Sequence, residues 1–214
     1  ISPSYLHSPG APERVAQYNP RMRIILIVRE PVARAISNHK HEVRIGHFQG
    51  DDLSFEAGLA NNPSYVEQGR YAKHLRHWLA VFPREAVLVL DFDAVVGDPE
   101  GVMRSVCRFL GIGELPAGVD LHGKSNESYL VRSTALEGLK NGLRGLLEAL
   151  RLGKVWARLG DAGLRSRYRR ANRMAPEDAI GRPRPETLAG LKALYRPDIE
   201  ELERLTGLSF DRWH

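Results

Sequence analysis

The clearest chemical pattern lies in residues 21–40, RMRIILIVREPVARAISNHK, where a cation directly follows an aliphatic run. The aliphatic, mostly β-branched residues 24–28 are typical of a strand buried on both faces. The run stops at Arg29, and Pro31 stands where a helix can begin without losing a needed N–H. The pattern therefore predicts Arg29 at the carboxyl edge of a sheet, beside free backbone donors at a helix N-terminus. Such a place binds anions.

Ser37 lies about two helical turns beyond Arg29 and adds a hydroxyl to the same anion if it faces the sheet edge. The alternative is an ordinary strand–helix unit with a solvated arginine. The spacing alone does not choose between the two, because an arginine after a strand is common.

The residues of this segment resemble the 3′-phosphate-binding segment of sulfotransferases that use 3′-phosphoadenosine-5′-phosphosulfate (PAPS). In that family a strand ends in Arg, followed by an Asn-, Asp- or Glu-like residue, Pro, then Arg-Ala and Ser. The segment IVREPVARAIS has the same order. The resemblance implies that Arg29 and Ser37 bind the 3′-phosphate, and that Arg34 has a structural role.

Further motifs resemble the bacterial and heparan-type (carbohydrate) members of the family, in order along nearly the whole chain. They are SPSYL at 2–6, QGRYAKHLRHWLAVFP at 68–83, VLVLDFDAVVGDPEGVMRSVCRFLGI at 87–112, KSNES with a later Arg at 124–132, and LYRPDIEELERLTGLSFDRW at 194–213. The resemblance implies an α/β fold, a P-loop-NTPase-like core in which helices surround a parallel sheet. It also implies one domain over residues 1–214, equivalent to the C-terminal two-thirds of a sulfotransferase.

The same motifs imply further contacts to the nucleotide. Gly69 and Tyr71 are expected near its edge. Lys124, Asn126 and Arg132 are expected in the loop that covers it.

The family's 5′-phosphosulfate loop, a Lys-x-Gly-Thr-Thr-like turn, does not occur in the sequence. Such a loop neutralises the transferring group with backbone N–H groups and a lysine. Because the chain opens at Ile1 inside a recognisable motif, we expect this loop, its lysine and the general base upstream of Ile1. The histidines that are present are weaker candidates for the base: His7, His39, His41, His74 and His77.

The activity that the resemblance implies is transfer of a sulfuryl group from PAPS to a hydroxyl or amine, with 3′-phosphoadenosine 5′-phosphate (PAP) as product and no metal. The acceptor is expected to be a carbohydrate, lipid or natural product. Two alternatives stay open. One is a nucleotide- or glycan-binding protein that has lost the sulfate loop, and the other is a kinase-like phosphotransferase, which needs a Gly-rich loop and Mg²⁺ ligands.

Composition is compatible with this reading. With 214 residues and 43% hydrophobic content, the chain can form one α/β domain with a core. The single cysteine, Cys107, excludes an intrachain disulfide and is predicted to be a buried, inert thiol. Scattered histidines with one cysteine give no metal-site signature. The sequence shows no membrane-spanning stretch and no signal peptide, so we expect a cytoplasmic protein. Abundant Ala, Arg and Gly suggest a bacterial one.

Apolar periodicity, capping residues and prolines predict the elements that carry these motifs. They are a helix over 31–44, an irregular stretch over 45–62, a helix over 65–81, a strand over 87–90, a helix from the N-cap Asp98 to Gly111, a loop over 113–133 and a helix over 186–206. Alternation of strands and helices predicts a parallel sheet with right-handed crossovers.

A basic helical segment is predicted at about 136–173. Ten Lys/Arg and two acidic residues give residues 140–173 a net charge of +8, against +5 for the whole chain, and leucines recur there at helical spacing. A solvated basic face is the simplest interpretation. There are two alternatives. The segment is a rim that attracts an anionic acceptor or the nucleotide, or it is a helix that lies on a membrane surface. Nucleic acid is disfavoured because no binding motif accompanies the charge.

If this segment is an acceptor rim, reversing the charges of Arg165, Arg167, Arg169 and Arg170 together should raise the KM for an anionic acceptor. The affinity for the nucleotide should stay nearly unchanged. The acceptor effect should shrink as salt is added, because exposed charges are screened over about 10 Å at 0.1 M. Steady-state kinetics at low and high salt measure this. An unchanged acceptor KM at low salt would support the solvated face.

Overall fold

The structure is a computed structural model. It describes residues 3–48, 53–113, 115–116, 118–121, 130–131, 173–174 and 180–214. These residues divide into two compact units. The larger unit contains the described residues of Ile1–Asn38, Leu59–Ser125 and Pro183–His214, and the smaller unit those of His39–Gly58 and Asn126–Arg182.

Helices and strands alternate along the described chain, as the sequence predicts. In order they are α1 (Ala11–Tyr18), β1 (Ile24–Val28), α2 (Pro31–Arg44), α3 (Phe55–Asn61), α4 (Ser64–Glu67), α5 (Tyr71–Leu79), β2 (Val87–Asp91), α6 (Phe92–Gly97), α7 (Pro99–Leu110), β3 (Leu130–Val131), β4 (Arg173–Met174) and α8 (Pro185–Thr206). Short 3-10 helices lie at Pro3–Tyr5, Arg84–Ala86 and Asp211–Trp213.

Strands β1 and β2 pair in parallel, with Ile24 opposite Val87 and Val28 opposite Asp91. The two aliphatic runs predict both strands, and the alternation of strands and helices predicts their parallel arrangement. Because the strands are parallel, both chains leave the sheet at the same edge, and the residues after Val28 and Asp91 are brought to one place.

One expectation for β1 is wrong, since the strand is not buried on both faces. Ile24 and Val28 are buried, whereas Ile25 and Ile27 are 36% and 56% exposed. Successive side chains of a strand point to opposite faces. In the described part of the chain, therefore, one face of this two-stranded sheet belongs to the core and the other meets solvent.

The core of the larger unit includes the packing of α8 against α5. Each helix contributes large buried side chains: Tyr71, Leu75 and Trp78 from α5, and Leu191, Tyr195, Ile199 and Leu202 from α8. Their spacing of three or four residues places them on one face of each helix. At the edge of this contact, Arg76 of α5 forms a salt bridge with Glu201 of α8.

Helix α7 has the boundaries that its sequence predicts. Asp98 is the N-cap, and its carboxylate accepts a hydrogen bond from the N–H of Gly101 at 2.9 Å. Gly111 ends the helix with φ 67°, a left-handed conformation that glycine adopts without steric cost. Cys107 is a free, buried thiol, as expected.

Two predicted segments differ from the structure. The expected helix over 65–81 is divided into α4 and α5, because Arg70 leaves the helical conformation with φ −83° and ψ 69°. The expected irregular stretch over 45–62 contains α3. That helix forms because Ser54 accepts a hydrogen bond from the N–H of Ala57 and Phe55 is fully buried.

In the smaller unit, Val43 and Ile180 form a buried pair against which Phe48 and Leu53 pack. His39 is also fully buried. One ring nitrogen of His39 lies 2.9 Å from the carbonyl oxygen of Leu53, and its ring packs 5.4 Å from that of Phe48. His39 is therefore a core residue. Strands β3 and β4 pair antiparallel in the same unit.

No helix among the described residues combines the length and the hydropathy that crossing a bilayer requires. The same residues contain no group of three or more His, Cys, Asp or Glu side chains arranged to hold a metal ion.

The turn between α4 and α5 gives a prediction about stability. A methyl group on Gly69 would lie 2.8 Å from ring atoms of Tyr195. Gly69→Ala should therefore lower the free energy of unfolding by about 1–3 kcal/mol, because the ring or the turn must move. Urea unfolding monitored by circular dichroism measures this.

Gly190→Ala is the matched control. A methyl group there meets nothing within 4 Å on the exposed side of α8. Gly190→Ala should therefore raise the free energy of unfolding by about 1 kcal/mol, because alanine is favoured over glycine inside a helix. If the free energy of unfolding changed by the same amount and in the same direction in both variants, the close contact between Gly69 and Tyr195 would be contradicted.

Candidate functional site

Arg29 lies where the sequence predicts it, directly after β1 at the carboxyl edge of the sheet. Its guanidinium carbon stands 4.9 Å from the centre of the Phe92 ring. Phe92 directly follows β2, so the carboxyl ends of both strands contribute to the site. No carboxylate in the described part of the chain forms a salt bridge with Arg29. A half-buried cation on an aromatic face, without an acidic partner there, suits an external anion.

The expectation of free donors at the N-terminus of α2 is wrong. The Glu30 carboxylate accepts hydrogen bonds from the N–H groups of Val32, at 3.0 Å, and Ala33, at 2.5 Å. Glu30 precedes the helix, and a carboxylate at that position satisfies the unpaired N–H groups of the first turn. An anion beside Arg29 must therefore bind through side chains, in the presence of the negative charge of Glu30.

Ser37 is exposed on α2. It is six residues beyond the start of the helix at Pro31, a rise of about 9 Å. No hydrogen bond joins its hydroxyl to Arg29 within the described residues. Its contact with the phosphate stays a prediction.

Arg34 is a structural residue, as the resemblance implies. It donates a hydrogen bond to the side-chain oxygen of Gln68 at 2.9 Å and another to the carbonyl of Tyr65. These bonds join α2 to α4 and the turn that follows it. The guanidinium of Arg34 is thus occupied inside the fold, unlike that of Arg29.

Tyr71 lies beside Arg29 and is almost fully buried. Its hydroxyl accepts a hydrogen bond from the backbone N–H of Arg29 at 3.4 Å. Burial raises the pKa of Tyr71 to about 12, so the hydroxyl is neutral at physiological pH. The ring of Trp213, near the end of the chain, lies 6.3 Å from the Tyr71 ring.

Of the remaining predicted site residues, Gly69 alone lies in the described part of the chain, and no contact there joins it to this edge. Gly69 packs against Tyr195, so the close packing there explains the glycine without any nucleotide. Lys124, Asn126 and Arg132 lie outside the described residues, as does nearly all of the basic segment.

Sequence reasoning missed Asp198, which acts on α5 from the opposing helix α8. Its carboxylate accepts hydrogen bonds from the N–H groups of Ala72 at 3.0 Å and Lys73 at 3.1 Å. Burial raises the pKa of this carboxyl, while the two backbone bonds act in the opposite direction. Asp198 directly follows Pro197 inside α8, but no local sequence signal relates it to the N-terminus of α5.

Two described histidines of the larger unit, His7 and His74, lie close together. His74 is buried, and a ring nitrogen lies 2.8 Å from the carbonyl oxygen of Glu67, so His74 is a structural residue. The half-buried ring of His7 packs 5.9 Å from that of His74. Burial lowers the pKa of His7, and the charges of His74 and Arg34 lower it further.

The family model described as a sulfotransferase domain matches residues 4–124, more than half of the chain. The chain belongs to this family. The matched range contains Arg29, Ser37, Gly69, Tyr71 and Lys124.

Curated relatives agree with this assignment. The chain is 35% identical over 119 residues to human heparan sulfate glucosamine 3-O-sulfotransferase 3B1, a match that covers 52% of this chain and 30% of the relative. It is 36% identical over 118 residues to human heparan sulfate glucosamine 3-O-sulfotransferase 6, covering 34% of that protein. The chain thus spans about a third of the length of these relatives.

The fold is similar to that of a solved sulfotransferase from Alicyclobacillus acidocaldarius, with a TM-score of 0.62 and 22% sequence identity. The similarity covers 98% of this chain and 64% of that one. It confirms the predicted α/β sulfotransferase fold.

His7 gives a prediction about pH. Its folded-state pKa lies below the ordinary 6.5, so the unfolded chain takes up the proton first as the pH falls. Its contribution to stability is present above pH 6.5 and is lost as the pH falls through the folded-state pKa. The unfolding free energy of His7→Gln should therefore decline less than that of the parent over this acidic range. Denaturant unfolding at several pH values measures this.

His77→Gln is the matched control, since His77 is an exposed histidine on α5. It should keep the pH dependence of the parent. A direct NMR titration should place the pKa of His7 below 6.5. A decline in His7→Gln as steep as in the parent would contradict the prediction.

Proposed function

We propose that the protein is a PAPS-dependent sulfotransferase that transfers a sulfuryl group to a hydroxyl or amine of an acceptor. Membership of the sulfotransferase domain family supports this. The observation that carries the proposal is Arg29, a half-buried cation at the carboxyl edge of a parallel sheet, with no acidic partner among the described residues. Ligands of open α/β sheets bind at this edge.

In this proposal Arg29 binds the 3′-phosphate of the nucleotide. A guanidinium presents N–H donors in a planar fork, which suits phosphate oxygens. Ser37 adds a hydroxyl donor farther along α2. Glu30 keeps the helix N-terminus occupied, so recognition of the phosphate depends on these side chains rather than on the backbone donors of α2.

Transfer forms a bond between sulfur and the acceptor oxygen or nitrogen and breaks the bond between sulfur and the bridging oxygen of PAPS. The acceptor proton passes to a general base, and PAP leaves with the bridging oxygen. Binding at the 3′-phosphate contributes by fixing the nucleotide, so that sulfur and acceptor meet in line. Neutralising the charge that develops on the bridging oxygen requires further cationic or N–H groups.

We propose a carbohydrate hydroxyl as the acceptor. The support is similarity to relatives named as heparan sulfate glucosamine 3-O-sulfotransferases. A polyanionic glycan would also match the basic composition of residues 140–173, the proposed acceptor rim.

A binding protein without transferase activity is the second candidate. The Arg29 site fits it equally, because an anion site binds a nucleotide whether or not transfer follows. Such a protein would keep Arg29 and its preference for a 3′-phosphate. Nucleotide binding and sulfate transfer must therefore be tested separately.

The protein produced from its full reading frame should bind PAP more tightly than AMP. Arg29→Ala should remove most of that preference, a loss of about 10- to 100-fold, because it deletes a charge-assisted contact to the additional phosphate. Isothermal titration calorimetry with both nucleotides measures the ratio of the two dissociation constants.

Arg108→Ala is the matched control, because it removes the same charge from an exposed position on α7. It should leave the ratio unchanged. Transfer of labelled sulfate from PAPS to glycan acceptors then distinguishes the enzyme from the binding protein. Equal affinity of the parent for PAP and AMP would refute both.

A further inference from the structure

Tyr71 connects Arg29 to the helical part of the larger unit. Its hydroxyl accepts the hydrogen bond from the Arg29 backbone N–H at 3.4 Å, one residue beyond the end of β1. This bond fixes the backbone at the point where the guanidinium side chain begins. A displacement of the Tyr71 hydroxyl would therefore alter this contact with the backbone of Arg29.

Tyr71 is itself held by Asp198. Tyr71 is the first residue of α5, and the N–H groups of the first turn of a helix have no acceptor within the helix. Asp198 supplies acceptors to Ala72 and Lys73 from α8. Each oxygen of the Asp198 carboxylate accepts one of these two bonds, so the first turn of α5 is held against α8.

The Tyr71 ring also has a neighbour that limits its movement. Trp213 is 2% exposed and stacks on Phe210, with ring centres 4.1 Å apart. The Trp213 ring lies 6.3 Å from that of Tyr71. The helix turn that bears Tyr71 is therefore held by Asp198 of α8, and the Tyr71 ring packs near Trp213.

The position of these contacts argues for more than general stabilisation. Asp198 is half-buried, and it uses both of its carboxylate oxygens on the one helix turn that bears Tyr71. A helix that needed only an N-cap could obtain it from its own preceding residue. That residue is Arg70, whose side chain makes no capping bond.

We propose that Asp198 and Tyr71 are positioning residues for Arg29, which hold its guanidinium where it meets the nucleotide 3′-phosphate. This inference rests on the proposed function. Asp198 fixes the first turn of α5, Tyr71 extends from that turn to the Arg29 backbone, and Arg29 alone of the three contacts the phosphate.

The test is a double-mutant cycle on the discrimination between PAP and AMP, in the protein from its full reading frame. Tyr71→Phe deletes the hydroxyl and keeps the ring beside Trp213. It should lower the preference for PAP about three- to tenfold, the effect expected for one hydrogen bond. In an Arg29→Ala background, Tyr71→Phe should have no further effect, because the group that it positions is absent.

Asp198→Asn should lower the same preference while the affinity for AMP changes little. Near-ultraviolet circular dichroism should show that the variant is folded. Tyr195→Phe is the matched control, since its buried hydroxyl bonds to the carbonyls of Tyr65 and Val66 and not to Arg29. Tyr195→Phe should lower the melting temperature without changing the discrimination.

Two results would overturn the inference alone. In one, Arg29→Ala abolishes the preference for PAP but Tyr71→Phe leaves it unchanged. In the other, the effects of Tyr71→Phe and Arg29→Ala add in full, so that the two residues act independently. If Arg29→Ala itself leaves the preference intact, the proposed function fails, and this inference fails with it.

Discussion

Parallel pairing of β1 with β2 is the constraint on which the rest of the candidate site depends. Antiparallel strands would send their carboxyl ends in opposite directions. Here the register that places Val28 opposite Asp91 brings Arg29 and Phe92 to the same edge, one residue beyond each strand. The helices then serve to keep that edge in place, because α5 packs against α8 and supplies the Tyr71 hydroxyl to the end of β1.

Most of the described charged side chains near this edge are bound within the fold, whereas Arg29 is not. Arg34 is bound by Gln68 and Tyr65, and the Glu30 carboxylate satisfies the first turn of α2. At the end of β2, Asp91 accepts a hydrogen bond from the N–H of Asp93 and pairs with Arg212 at 2.8 Å. Arg29 differs from these groups, since its guanidinium has an aromatic neighbour and no salt bridge among the described residues. An anion that arrives there meets a cation that has no salt bridge in the described part of the chain, although the Glu30 carboxylate lies on the neighbouring helix turn.

Local signals predicted much of this arrangement. An aliphatic run that stops at Arg29 and a proline two residues later were sufficient to predict a strand, a helix and a cation at the sheet edge. The capping role of Glu30 could have been predicted too, because a carboxylate directly before Pro31 is a local signal. Asp198 could not, since its partners are 126 and 125 residues away in the sequence and no periodic pattern relates a helix N-terminus to a side chain on another helix. The requirement for glycine at position 69 also depends on such a distant neighbour, the Tyr195 ring.

The open face of the β1–β2 sheet has a consequence for the behaviour of the chain in water. Leu88 and Leu90 pair with Ile25 and Ile27, so the four aliphatic side chains share that face as one continuous strip. An uncovered aliphatic strip of this kind favours self-association in water, and a covering element or partner would bury it. In the described part of the chain this apolar face therefore contrasts with the charged edge of the same sheet, where Arg29 lies.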